Sequence, residues 1–385
     1  MIQSPFSKQE QEEIRSNFSH TRNGYIYLNH AAIGPISNRV RGAIDSFLDE
    51  RNNGPVENFE YAMKLSDETR SLITRYLNAP SSSQISYMGN TSEAISAVSE
   101  GFPWREGDEV ILNSMEFPTN VQPFRILENR GVKTVFVEAK ENTITVDMLE
   151  GAITPRTKMI SISAVQFLSG FRADLKAIGE LCRDRNIYFV VDAIQCLGAF
   201  PIDVQECRID ALACGGHKWL MSPLGFGFLY LSEKLASELK PFRTGWLSVE
   251  EPWELFNYNQ KWQPLSGHLE VGTPNMLGIA GMGASLKTLF ETGTEKILLQ
   301  IQYLTQYLID RLTDEQSVSI FSPTGLQHRS GIISFTINSD LNAEETILKL
   351  KEKKITLSVR EGVFRISPHF YNTEEEIEKA LEGLL

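Results

Sequence analysis

The sequence predicts an α/β protein in which a large, mainly parallel seven-stranded sheet is followed by a smaller α+β unit. Seven short β-prone runs lie between residues 85 and 231 of the 385-residue chain, and segments with helical periodicity separate most of them. Such alternation is typical of βαβ units in a parallel sheet. Residues 331–384 then follow the order strand, helix, strand, strand and helix, which predicts the α+β unit.

The segment before the sheet is predicted to be largely helical. Residues 7–17 have an amphipathic pattern, with Ser7 as the N-cap and Glu10 as its capping-box partner. The other predicted elements are a strand at 25–28 and helices at 38–51 and 58–77.

The strands of the large sheet are predicted from their apolar, β-branched runs. They cover residues 85–87, 109–113, 133–137, 158–164, 187–191, 211–214 and 227–231. The helices between them are predicted at 91–101, 120–129 and 175–185. Since residues 226–231 follow the preceding strand after only a short turn, we expect that last strand to be antiparallel.

The remainder of the chain begins with residues 243–265, which are rich in aromatic residues, have no clear period and are predicted to form a connecting loop. The later predictions are helices at 273–292, 295–312, 343–353 and 373–384 and strands at 331–337, 355–359 and 364–367. We therefore expect an N-terminal segment (1–24) that packs on the small domain, a large domain (25–260) and a small C-terminal domain (261–385).

Composition excludes several classes of function. A formal net charge of -12 argues against a nucleic-acid partner, because a phosphate backbone requires a basic surface. No run of 18 apolar residues occurs, so no membrane span is predicted. The N-terminus lacks an apolar signal region, and the four cysteines do not form a disulfide-like or metal-binding pattern. We expect a cytoplasmic enzyme without a metal site.

Asp192 and Lys218 form the most informative pair in the chain. Asp192 ends an apolar run typical of a buried parallel strand, where open α/β sheets bind ligands. Lys218 follows a Gly-Gly-His turn between two apolar runs, and desolvation there would lower its pKa. A lysine amine that forms a Schiff base with an aldehyde, and an aspartate that keeps a pyridine nitrogen protonated, are what pyridoxal 5'-phosphate requires.

Other segments supply the groups that such a cofactor would need. Thr91 and Ser92 open a predicted helix, whose free amides and hydroxyls form an anion site, and His217 can reach the same phosphate. Phe117, held at a strand end by a following proline, can stack on a planar ring. Gln195 can donate a hydrogen bond to the phenolate oxygen of the cofactor.

Six motifs in this order resemble the class V aminotransferase family of fold-type I pyridoxal-phosphate enzymes, which includes cysteine desulfurases, kynureninases and isopenicillin N epimerase-like proteins. The motifs are Tyr-Leu-Asn-His-Ala-Ala (27–32), Asn-Thr-Ser-Glu-Ala (90–94), Val-Asp-Ala-Ile-Gln (191–195), Gly-His-Lys-Trp-Leu (216–220), Gly-Thr-Pro-Asn (272–275) and Arg-Ile-Ser-Pro-His-Phe-Tyr-Asn-Thr (365–373). The resemblance covers the chain from about residue 27 to its end.

The resemblance implies a role for each matching residue. Lys218 would be the Schiff-base lysine and proton shuttle, and Asp192 would pair with the pyridine nitrogen. The implied cofactor contacts are Thr91, Ser92 and His217 at the phosphate, Phe117 at the ring, Gln166 and Gln195 at the phenolate oxygen, and Thr273 across the interface of a homodimer with shared active sites. The implied substrate contact is Arg365 at the carboxylate. Apart from the resemblance, we expect the side chain of the substrate to meet residues 29–31, including Asn29 and His30, the region 243–256 and Arg360.

One departure separates this chain from the desulfurases of the family. They carry a nucleophilic cysteine on a loop before the carboxylate arginine, whereas residues 322–365 contain no cysteine here. We therefore predict an aminotransferase that acts on an amino acid through a Schiff base, and we do not expect cysteine desulfurase activity. A kynureninase-like lyase or hydrolase and an amino-acid epimerase are the alternatives. The chain's acidity disfavours a non-enzymatic regulator that binds DNA.

Overall fold

A computed structural model describes residues 3–264, 266–338 and 342–385 and confirms the predicted α/β fold. The strands are β1 (Ile26–Tyr27), β2 (Ile85–Met88), β3 (Glu109–Asn113), β4 (Lys133–Val137), β5 (Thr157–Ser163), β6 (Tyr188–Asp192), β7 (Ala211–Gly215), β8 (Gly227–Leu231), β9 (Val318–Ile320), β10 (Ile333–Ile337), β11 (Ile355–Thr356), β12 (Ser358–Arg360) and β13 (Val363–Ile366).

The helices surround these strands. They are α1 (Lys8–Ser16), α2 (Ser19–Arg22), α3 (Asn38–Asn53), α4 (Phe59–Leu77), α5 (Thr91–Gly101), α6 (Gln122–Arg125), α7 (Val146–Gly151), α8 (Leu175–Asp184), α9 (Glu233–Glu238), α10 (Met276–Thr292), α11 (Thr294–Thr313), α12 (Ala343–Glu352) and α13 (Glu374–Glu382). No helix in the described ranges is long and apolar enough to cross a membrane.

The large sheet has the strand order β2-β8-β7-β6-β5-β3-β4. Its neighbours are parallel except where β8 pairs antiparallel with β2 and β7, so the prediction for residues 226–231 is confirmed. Alternate residues of each strand face opposite sides: Ile111 belongs to one apolar cluster, whereas Val110 and Leu112 belong to another. The sheet is therefore buried on both faces. The carboxyl ends of its central strands are the part of the sheet that can face a ligand.

The C-terminal part contains an antiparallel sheet in the order β12-β13-β10-β9. The N-terminal segment lies against this part, since β1 pairs in parallel with β11 and Arg15 forms an ion pair with Glu376 at 2.8 Å. The Ser7–Glu10 capping box is present, as predicted. The proposed domain boundaries stay predictions.

Local chemistry explains where the elements differ from prediction. The predicted helix 120–129 is only one turn, α6, between two 3₁₀ turns. Pro123 lacks the amide hydrogen that would extend α6 back toward residue 120, and Gly131 ends the segment with φ +77°. The helix predicted from 273 begins at Met276, after its cap Asn275. The predicted strand 355–359 divides into β11 and β12, which pair with different partners. The short elements α2, α7, α9 and β9 were not predicted.

Candidate active site

Lys218 lies on a turn that follows β7, and neighbouring backbone fixes this turn closely. The amide of Gly34 donates to the His217 carbonyl at 2.7 Å, and the Met221 amide donates to the Lys218 carbonyl at 3.0 Å. A Cβ on Gly34 would collide with the Lys218 carbonyl oxygen, and one on Gly198 would collide with that of Trp219. The two glycines therefore permit a backbone approach that fixes the base of the lysine side chain.

Gly198→Ala is expected to weaken the site. Gly198 has φ +104°, which a side chain rarely adopts, and its new Cβ would press on the Trp219 backbone. We expect a loss of about 1–3 kcal/mol in the free energy of unfolding and weaker cofactor binding, measured by denaturant unfolding and cofactor titration. In the control Gly42→Ala, inside α3 with open space around it, we expect a gain of about 0.5–1 kcal/mol. Equal stability of the two variants would contradict the inference that Gly198 is needed for the close backbone approach at the Lys218 turn.

Asp192 ends β6 and faces the same cavity as Lys218. Its side chain is buried, and Oδ1 accepts a hydrogen bond from the Ile194 amide at 3.0 Å. Burial raises the pKa of Asp192, and the charge of nearby Glu116 raises it further, while Lys218 opposes the shift. A carboxylate in such surroundings is a strong hydrogen-bond acceptor for a protonated, positively charged group placed against it.

Burial also lowers the pKa of Lys218. The charge of Asp192 opposes this shift, and the two guanidinium groups of Arg365 and Arg360 add to it. A lysine with a lowered pKa has a larger fraction of neutral amine near neutral pH, and the neutral amine is the form that attacks a carbonyl or accepts a proton.

An anion cradle lies at the N-terminus of α5. The Gly215 amide donates to Thr91 Oγ1 at 2.9 Å, so the Thr91 hydroxyl hydrogen is free to donate elsewhere. A Cβ on Gly215 would lie 3.1 Å from Thr91 Oγ1 and 3.3 Å from His217 Nδ1, so a glycine keeps this corner open. Ser92 borders the same cavity beside the helix start, and a helix N-terminus favours phosphate.

The cavity fits pyridoxal 5'-phosphate. It has a volume of ≈ 540 Å³ and is lined by the cradle, Asp192, Gln195, Lys218 and an aromatic wall, which is the size and mixture typical of small-molecule sites. The cradle would hold the phosphate, and Asp192 would meet the ring nitrogen. The hydrogen-bond donors at the start of α5 and the space left by the missing side chain of Gly215 both suit the phosphate of this cofactor.

Phe117 and Phe167 form the aromatic wall. Their rings meet edge to face at a centroid distance of 5.1 Å, and Lys218 Nζ lies 5.8 Å from the Phe117 centroid. Phe117 is 44% exposed and borders the cavity, so its face is available to a planar ring. Phe167 was not predicted, although it directly follows the predicted residue Gln166.

Glu116 is a buried carboxyl behind this wall that the sequence did not reveal. Its oxygens accept hydrogen bonds from the Ser163 amide at 2.8 Å and hydroxyl at 2.5 Å, and from Gln166 Nε2 at 2.9 Å. Burial raises its pKa, and these hydrogen bonds oppose the shift. The available signal was a carboxyl three residues after the end of β3, close to the carboxyl edge of the sheet.

Arg365 projects into the cavity from β13. It is 2% exposed, and it donates to the Phe167 carbonyl at 2.6 Å and to Ser358 Oγ at 3.3 Å. No carboxylate forms an ion pair with it among the described residues. Burial lowers its pKa to about 10, with a further contribution from Arg360. A buried guanidinium without a counter-charge is suited to bind a carboxylate bidentately.

Four predicted site residues do not line this cavity. His30 is fully buried, with Nδ1 2.9 Å from the Ser367 carbonyl and Nε2 2.9 Å from the Tyr371 hydroxyl, so its ring holds the core together instead of facing a substrate. Asn29, the residue before His30, forms an isolated parallel β-bridge with Ser367. Gln166 directs its amide to Glu116, and Thr273 is exposed outside its own chain's cavity.

The other predicted residues come together as expected. Those that line the one cavity are Thr91, Ser92, Phe117, Asp192, Gln195, His217, Lys218, Arg360 and Arg365. Gln195 also accepts from Trp219 Nε1 and donates to the Ala31 carbonyl, both at 2.9 Å, which fixes its amide orientation. Their catalytic roles stay predictions.

None of the four cysteines lines the cavity. Burial raises the pKa of Cys182 and Cys196 to about 12 and that of Cys207 to about 11, and it raises that of Cys214 well above its ordinary value. Their thiols are therefore protonated and unreactive near neutral pH.

The segment 339–361, which precedes Arg365 and corresponds to the expected cysteine-bearing loop of the desulfurases, forms α12, β11 and β12 in its described part. Its first three residues, 339–341, lie outside the described residues. The sequence of the whole segment contains no cysteine.

Comparison with known proteins assigns the fold and the family. A family model described as "Aminotransferase class-V" matches residues 26–380. A curated relative named "Probable cysteine desulfurase", from Methanothermobacter thermautotrophicus, is 29% identical, and the alignment covers 97% of each chain. A second relative, "Uncharacterized aminotransferase YcbU" from Bacillus subtilis, is 25% identical over 91% of this chain and 90% of its own.

A solved structure of the Escherichia coli cysteine desulfurase CsdA superposes with a TM-score of 0.88. It is 23% identical and covers 97% of each chain. At this identity the likeness establishes the fold and leaves the reaction open.

Proposed function

The chain belongs to the class-V aminotransferase family and depends on pyridoxal 5'-phosphate, and from this premise we propose that it is an aminotransferase that acts on a free amino acid. One observation carries the proposal: the cavity brings together one amine, Lys218, one buried carboxyl, Asp192, and one buried guanidinium, Arg365, with no thiol among its lining residues in the described chain. Transamination requires an amine base and no second nucleophile.

The cofactor, when bound, would withdraw electrons from the substrate's α-carbon. Lys218 Nζ would then take the α-proton and return it to the cofactor carbon on the other side of the linking nitrogen, two atoms away, and its lowered pKa keeps a neutral amine ready for this transfer. The Asp192 carboxylate would hold a proton at the ring nitrogen. Arg365 would fix the α-carboxylate and so orient the α-proton toward the amine.

The names of the relatives make cysteine the critical test substrate. A desulfurase needs a thiolate that reaches the substrate sulfur, and the four cysteines of this chain, none of which lines the cavity, do not provide one. We expect sulfide release from cysteine at least about ten-fold slower than 2-oxo acid formation from the best amino acid in a panel. Sulfide electrode readings and mass spectrometry of the 2-oxo acid measure the two rates on the holoenzyme.

Cys214→Ala is the control for this comparison, since Cys214 is the cysteine beside the Lys218 turn and its side chain packs in the sheet. The variant should keep nearly full turnover. Rapid sulfide release that disappears in Cys214→Ala would overturn the proposal in favour of a desulfurase. Rapid cleavage of kynurenine without a 2-oxo acid from any other amino acid would replace it with a lyase.

We also propose a homodimer with shared active sites. Thr273 is exposed beside a surface of exposed aromatic side chains, and the rings of Trp246 and Phe59 both contact Trp253, at centroid distances of 5.3 and 5.5 Å. Exposed aromatic patches of this kind mark protein interfaces. A second copy seated here would bring its own Thr273 toward the cradle at α5.

Mixed dimers test the shared site. Lys218→Ala and Thr273→Ala homodimers should both be impaired, while a mixture of the two should regain activity, because one site in each heterodimer then contains both native residues. Sedimentation should show a dimer. A monomer in sedimentation, together with no gain on mixing, would contradict the proposal.

A further inference from the structure

A short β-hairpin delivers two arginines to the cavity. Strands β12 and β13 pair antiparallel, and Arg360 lies opposite Val363. The two residues between them, Glu361 and Gly362, have φ values of +48° and +76°. Positive φ at both central positions is the signature of a type I′ turn, the two-residue turn that matches the twist of paired strands. Arg360 is thus the last residue before a well-defined turn and not part of a long loop.

The pairing register places both guanidinium-bearing residues on one face of this hairpin. Ser358 lies opposite Arg365, and side chains two residues apart share a face, so Arg360 lies on the face of Ser358 and Arg365. Both arginines line the cavity. Diagonal neighbours in such a register have Cα atoms about 7–8 Å apart, so the two side chains can meet the two ends of a short ligand.

Neither arginine forms an ion pair among the described residues, although Glu361 of the turn also lines the cavity. Across residues 3–264, 266–338 and 342–385 no carboxylate forms an ion pair with Arg360 or Arg365. The positive charge of Arg360 lowers the pKa of Arg365 and the pKa of Lys218. The phosphate of the cofactor has its own cradle at α5, on Thr91 and Ser92. One carboxylate of the substrate would neutralise Arg365 and leave Arg360 unmatched.

We propose that Arg360 binds a second carboxylate, carried on the side chain of the substrate, so that the preferred substrate is a short acidic amino acid such as aspartate or glutamate. This inference rests on the proposed function, in which Arg365 binds the α-carboxylate. The planar fork of an arginine suits a carboxylate better than a lysine would.

Unreactive dicarboxylates test the inference without catalysis. Calorimetry on the holoenzyme would compare succinate and glutarate, which have two carboxylates, with butyrate, which has one. For the native protein we expect the better dicarboxylate to bind at least about ten-fold more tightly than butyrate, as one good charge-assisted contact provides. Arg360→Met should reduce this ratio to near one with butyrate affinity unchanged, and Arg360→Lys should keep part of it.

Arg130→Met is the matched control, since Arg130 is an exposed arginine that ends a 3₁₀ turn outside the cavity lining. It should keep the native ratio. Equal affinities for dicarboxylates and butyrate in the native protein, or an unchanged ratio in Arg360→Met, would overturn the inference.

Turnover separates this inference from the proposed function. If neutral amino acids give 2-oxo acids but the dicarboxylate ratio is near one, the enzyme is an aminotransferase with a different substrate class, and the inference fails alone. If the dicarboxylate ratio depends on Arg360 but no amino acid gives a 2-oxo acid, the second-carboxylate site stands and the proposed reaction fails.

Discussion

Lys218→Ala is expected to abolish turnover and to remove the visible absorption of the lysine-linked cofactor. The variant loses the only amine among the residues that line the cavity in the described chain. Loss of a positioned proton acceptor alone costs about 10²–10⁴-fold in rate, and loss of the covalent link to the cofactor adds to this. Steady-state 2-oxo acid formation and the absorbance spectrum of the purified variant measure both effects.

Lys64→Ala is the control, because Lys64 is exposed on α4. It should have native turnover and a native spectrum. A Lys218→Ala variant that keeps the visible band and measurable turnover would show that another lysine carries out the chemistry.

Asp192→Asn is expected to fold normally and to lose most of its activity. Asparagine keeps an oxygen that can accept the Ile194 amide hydrogen bond, but it cannot hold a proton at the ring nitrogen. Removing one preorganised charge from a site of this kind costs about 2.7–4 kcal/mol, or roughly 10²–10³-fold in kcat. Single-turnover measurements with saturating amino acid would report this loss.

The stability of the apoprotein separates this chemical loss from a folding defect. Burial raises the pKa of Asp192, so the folded apoprotein binds this proton more tightly than the unfolded chain. This residue therefore costs stability as the pH rises above its unfolded pKa of ~3.9. Asparagine removes the cost, and apo Asp192→Asn should be at least as stable as the native apoprotein at pH 7. A less stable variant, or one with near-native turnover, would contradict the assignment.

The sequence predicted the parts of the site that depend on strand ends and turns. Asp192 and Lys218 follow buried strands, and the carboxyl ends of parallel strands meet at one edge of the sheet, so their convergence followed from the element order. Thr91 and Ser92 were predictable in the same way, because they open a helix. The strands themselves were predictable because their apolar runs are continuous, as burial on both faces requires.

Other features required the tertiary structure. His30 and Ala31 are adjacent in sequence, but only the structure shows that the His30 ring turns into the core while Ala31 borders the cavity. The charge of Glu116, which follows β3, acts on Asp192 of β6 across the intervening strand β5, and no local sequence pattern indicates such an interaction. The role predicted for Thr273 lies in a second chain's site, so it stays a prediction.

Mass spectrometry after borohydride reduction of the holoenzyme tests the central claim most directly. Reduction fixes the bond between the cofactor and its lysine, and proteolysis then reports which peptide has gained the mass of the cofactor. We predict that the added mass lies on the peptide that contains Gly-Gly-His-Lys-Trp, at Lys218. Added mass on a different lysine, or on none, would contradict the account of this cavity as a pyridoxal-phosphate active site.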